Sequence, residues 1–79
     1  MASQTDIEIT ALQVCNRIGM DAKLPSENMV LASWKELAHD RFSKGSVAGK
    51  TWKDKTSHNV VVERVRQFYK DHRKKMAYD

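Results

Sequence analysis

The stretch that decides the fold is Val60-Val61-Val62-Glu63-Arg64-Val65-Arg66-Gln67-Phe68-Tyr69-Lys70-Asp71-His72-Arg73-Lys74-Lys75-Met76. Three consecutive valines favour a strand when taken alone. Placed about 100° apart, however, Val61, Val62, Val65, Phe68, Tyr69, His72 and Met76 fall within one third of a helical circumference, and Arg66, Lys70, Arg73 and Lys74 fall outside it. A seven-member stripe of that spacing fits only a helix. Arg73, Lys74 and Lys75 close it with the positive charge that a helix C-terminus favours. The pattern predicts a helix over about 57–76, with Thr56 and Ser57 at its start. A start at 52, within Thr51-Trp52-Lys53-Asp54, is the alternative.

Working back towards the N-terminus, two further helices are expected. Thr5-Asp6-Ile7-Glu8 has the spacing of a capping box, in which a hydroxyl and a carboxylate satisfy two orphan N–H groups. Ile7, Ala11, Val14, Cys15 and Ile18 follow at helical intervals. Gly19 stands where a helix ends in the left-handed region, which predicts a helix over about 6–18. Ser26 can cap a second helix, with Glu27 in its first turn. Val30, Leu31, Trp34, Leu37, Ala38 and Phe42 form its apolar face, so it is expected over 27–43. Residues 44–56 read as a basic loop. The fold class is therefore all-α: one small three-helix domain spanning 1–79 and burying one shared core.

The 79 residues suffice for one domain, 41% of them hydrophobic and 30% charged, the balance of a folded globular chain. No apolar run approaches the length of a membrane span. Met1 to Asp6 lacks the basic and apolar regions of a signal peptide. Cys15 is the single cysteine, which excludes an internal disulfide and fits a reducing compartment. An intracellular location is expected, the cytoplasm of a prokaryote or the nucleus of a eukaryote.

Charge is unevenly distributed. The net charge is +4, but residues 1–43 carry four cations against six carboxylates, a net −2. Residues 44–79 carry ten against four, a net +6. A cationic half of this kind suits a polyanionic partner. Lys50, Lys53 and Lys55 precede the last helix, His58 and Asn59 lie in its first turn, and Arg66, Lys70, Arg73 and Lys74 follow on its outer face. A DNA-reading helix offers its first residues to base edges and its basic flanks to phosphates. Asparagine can bond an adenine edge through two hydrogen bonds. In outline the arrangement resembles tri-helical DNA-binding domains of the helix-turn-helix or Myb-like type. The resemblance covers architecture and charge; the regularly spaced tryptophans of the latter and the Trp-Phe-x-Asn core of homeodomains are missing. The expected function is binding of duplex DNA through the basic loop and third helix, in transcription regulation or in chromatin and genome organisation. The alternative is a helical docking module for a protein partner or a second copy, for which Met20, Met29 and Met76 offer adaptable apolar contacts.

Other chemistries find little footing. Gly45-Ser46-Val47-Ala48-Gly49-Lys50-Thr51 approaches a phosphate-binding loop, yet three residues separate its glycines where four are required, and no strand precedes it. His39, His58 and His72 lack the paired spacing of a metal site. Cys15 belongs to a buried face with nothing nearby to activate it. Trp34 is expected in the core; Trp52, among lysines, is either a lid on that core or a contact residue, the first being preferred on its size. No enzyme activity, metal or cofactor is expected.

Overall fold

A computed structural model describes residues 3–39 and 46–77. The described residues are helical, with no strand. Helix α1 spans Gln4–Ile18, α2 Glu27–His39, α3 Val47–Lys53 and α4 His58–Ala77, with a single 3-10 turn, Lys55–Ser57, leading into α4. The all-α class and the last helix agree with the sequence reading. The expected continuation of α2 to residue 43, Phe42 included, lies outside the described residues.

The expected basic loop is corrected. Its described part folds into α3 and the 3-10 turn. Ser46 caps α3 by accepting the Gly49 N–H at 3.2 Å, and Asp54 caps the turn by accepting from the Thr56 N–H at 3.2 Å and the Ser57 hydroxyl at 2.8 Å. An isolated helix of seven residues is unstable in water, so burial must supply the rest. Ala48 and Thr51 face inward and are buried. The Thr51 hydroxyl lies 2.9 Å from that of Thr10 on α1 and 2.9 Å from the Val47 carbonyl, so the polar group is satisfied inside the core.

The start of α1 is also corrected. Ser3, not Thr5, is the cap, and its hydroxyl accepts the Asp6 N–H at 3.1 Å. Glu8 is consequently free to leave the first turn and bridges to Arg64 of α4, whose Nη2 donates to it at 3.1 Å. The other end follows the sequence: Gly19 has a φ of +100°, and its N–H closes the helix on the Cys15 carbonyl at 2.8 Å.

The core gathers Ala11, Val14 and Cys15 of α1, Val30 and Trp34 of α2, Ala48 of α3, and Val61, Val62, Val65 and Tyr69 of α4. Tyr69 is buried but reaches the Gly19 carbonyl with its hydroxyl at 2.6 Å, which ties α4 to the end of α1. The apolar stripe of α4 is not covered along its whole length. Phe68 and His72 are half-buried, and Met76 is 61% exposed. At 1.5 Å per residue, α4 is about 30 Å long and α1 about 22 Å. The last turns of α4 run beside the α1–α2 connection, with which they share a cleft.

Two substitutions test this packing. Val65→Asp places an unpaired charge at a position with no exposed surface and should abolish the cooperative thermal transition followed by circular dichroism. Tyr69→Phe deletes one of two hydrogen bonds to the Gly19 carbonyl, which keeps the Ala22 N–H at 3.2 Å, and should lower stability by about 1 kcal/mol in urea titration, with the fold retained.

Candidate nucleic-acid interface

Of the nine residues singled out by charge and helix position, eight are exposed and fall into three groups by element. Asn59, Arg66, Lys70, Arg73 and Lys74 are exposed on α4, and their spacing confines them to an arc of roughly 100°. Arg66 and Lys70, then Lys70 and Lys74, stand four residues apart, adjacent on the helix surface. Lys50 and Lys53 are exposed on α3, away from its buried Ala48 and Thr51. Lys55 is exposed in the 3-10 turn, at the opposite end of α4 from Arg73 and Lys74.

The ninth residue, His58, is set apart from the other eight. It is half-buried and belongs to an aromatic cluster. Its ring stacks on Trp52 at 4.9 Å between centroids and 27° between planes, and meets Trp34 edgewise at 4.9 Å. Its Nε2 lies 2.9 Å from the Trp52 carbonyl. Its Nε2 edge is thus engaged within the protein, and its ring packs on both indoles. Trp52 in turn packs edgewise on Trp34 at 5.0 Å, so its preferred assignment as a lid on the core holds. Asn59, the other polar candidate of the first turn, is the more exposed of the two.

The cations differ in their neutralisation. Arg17 donates to Glu36 through Nε at 2.9 Å and Nη2 at 2.7 Å. Arg64 is paired with Glu8, and its guanidinium also lies 4.2 Å over the Phe68 ring. The hydrogen bond to Glu8 is the main cause that raises the Arg64 pKa above its ordinary value, against some loss of hydration. Among the described residues, Arg66, Lys70, Arg73 and Lys74 form no ion pair. Glu63 is the single carboxylate within their arc.

A cleft of about 250 Å³ lies beside this flank. The α1–α2 connection supplies Met20, Asp21, Ala22 and Lys23, and α4 supplies His72, Arg73 and Met76. Lys23 was not among the residues singled out, because an isolated lysine in a turn carries no local signal; only the fold brings it to the same cleft as Arg73. His72 Nε2 stands 4.0 Å from the Asp21 carboxylate, which is fully exposed.

Cys15 is distant from all of this. It is 1% exposed, its thiol directed at the Val65 carbonyl at 3.9 Å. Burial pushes its pKa up to about 11 from 9.0, the reverse of what a nucleophile needs. Among the described residues, no group of His, Cys, Asp and Glu is gathered as metal ligands would be. No helix of the described residues is long and apolar enough to cross a membrane.

Comparison with protein-family models, with curated proteins and with solved structures finds no match to this chain.

His58→Ala should lower stability by about 1–2 kcal/mol, through lost stacking and an unsatisfied carbonyl. It should leave any salt-dependent association unchanged, as measured by melting and by anisotropy titration on the same protein.

Cys15 sets a pH dependence. The unfolded thiol ionises near 9 and the folded one near 11, so the unfolded chain releases its proton first and gains from rising pH. Stability should therefore fall between about pH 9 and 11, by at most roughly 2–3 kcal/mol. Urea midpoints across that range should fall more steeply for the parent protein than for Cys15→Ala.

Proposed function

We propose that this domain binds duplex DNA, laying the exposed flank of α4 on the phosphate backbone, in transcription regulation or genome organisation. One observation carries the reading: Arg66, Lys70, Arg73 and Lys74 share one flank and have no carboxylate partner among the described residues, whereas Arg17 and Arg64 do. Like charges four residues apart on a helix each cost some tenths of a kcal/mol. A row of phosphates offsets that cost, and the released counterions drive association. Arg66 and Lys74 are about 12 Å apart along the axis, so several phosphates fall within reach of the set. Lys50, Lys53 and Lys55 extend the cationic surface at the start of the helix, and Asn59 is the residue positioned to meet a base edge.

A second reading has its own observation. Thr5, Ile9, Leu12, Gln13 and Asn16 form an exposed face of α1 without a charge, and Ile9 and Leu12 are 37% and 48% exposed. Such a face suits a protein docking module, the alternative to nucleic-acid binding.

Salt titration separates the two. With four to six phosphates contacted, log affinity for random duplex should fall against log salt with a slope of roughly −4 to −5. Lys53→Ala, Lys70→Ala and Arg73→Ala should each flatten it by about one unit and leave the melting temperature nearly unchanged. Asn59→Ala should cost about 1–3 kcal/mol on a preferred site and little on random duplex. Indifference to all four substitutions would leave the docking reading standing.

A further inference from the structure

The cleft at the end of α4 differs in chemistry from the flank beside it. The flank is cationic and open, suited to phosphates alone. The cleft combines two cations, Lys23 and Arg73, with two methionines, Met20 and Met76. Arg73 belongs to both. A polyanion lying on Arg66, Lys70 and Lys74 therefore reaches the cleft through Arg73, and Lys23 from the α1–α2 connection lines the same cleft.

What the methionines can receive follows from size and polarity. About 250 Å³ is just under the roughly 300–1,000 Å³ of pockets that enclose a drug-sized ligand. The cleft suits one unit of a longer chain. In a continuous duplex, bases are stacked and paired, and the backbone presents phosphate and sugar only. An unpaired nucleotide at a strand end or overhang also presents the face of its base, which is apolar and similar for every base. Methionine is flexible and polarizable, and its sulfur packs favourably against aromatic rings. Asp21, fully exposed and 4.0 Å from His72, is the cleft's one carboxylate, so the cleft as a whole remains cationic and favours a phosphate at Lys23 and Arg73.

We infer that this cleft seats one unpaired nucleotide, its phosphate between Lys23 and Arg73 and its base against Met20 and Met76. The inference rests on the nucleic-acid reading and adds to it a preference for duplex ends with a single-stranded tail over blunt duplex.

The test compares three probes of equal phosphate count: blunt duplex, duplex with a short thymidine tail, and duplex with the same tail lacking its bases. The tailed duplex should bind about three- to tenfold more tightly than the other two. It should also shift the methyl resonances of Met20 and Met76 in protein labelled at methionine methyl carbons. Met76→Ala, at an exposed position that spares the core, should bring the tailed duplex to the blunt level and leave blunt binding unchanged. Lys70→Ala should weaken all three probes alike. Equal affinity for the three, with silent methionine resonances, would overturn the inference while the α4 flank kept its role. Failure of every probe to bind at low salt would remove the nucleic-acid reading and the inference with it. A short acidic peptide that alone shifts both methionines would also overturn the inference, and would assign the cleft to a protein partner.

Discussion

Trp34 has no exposed surface, and it is held by three residues of the two helices that follow it in the chain. Its indole N–H donates to the Ala48 carbonyl of α3 at 3.1 Å. Its ring meets Trp52 at the end of α3 and His58 at the start of α4. An indole buried without a partner for its N–H would be costly. That hydrogen bond therefore does more than stabilise: it sets which face of α3 turns inward. The same placement leaves Lys50 and Lys53 of α3 exposed and brings the chain to the first turn of α4. The orientation of α3, the burial of His58 and the exposure of Lys50 and Lys53 all depend on this one side chain.

The long helix was legible because it is long. Over the twenty residues of α4, a 3.6-residue period repeats often enough to override the strand preference of three valines. The seven residues of α3 offer no such repetition. Ala48 and Thr51, its buried residues, are small or polar, and glycine and lysine around them suggest a loop. What makes this segment a helix is remote in sequence: a hydroxyl at Thr10 and an indole at Trp34. The same holds for His58, whose role comes from two tryptophans and could not be inferred from its position beside Asn59. The start of α1 shows a different limit, since Ser3 and Thr5 are both competent caps and the sequence around them does not choose between them.

Of the candidate interface, the flank of α4 was legible for the same reason as the core stripe: both are readings of one helical period. Its counterpart in the α1–α2 connection was not. Lys23 acquires a place only because Tyr69 binds the Gly19 carbonyl and so brings the turn after α1 beneath the end of α4. The incomplete covering of the apolar stripe at His72 and Met76 arises from the unequal lengths of α1 and α4, a property of two segments taken together.

The hydroxyl pair of Thr10 and Thr51 joins residues 41 apart in sequence. Its consequence concerns the order of events in folding. Helices α1 and α4 can pack through apolar surface as soon as they form, but α3 is too short to persist before α1 and α2 are in place to receive it. Its docking therefore waits on α1 and α2, and its release should be a local opening of lower free energy than global unfolding. Amide protons of Lys50 to Lys53 should then exchange ahead of those at the centre of α4. Two of the three lysines that extend the cationic surface ride on this short helix, so their arrangement follows its docking.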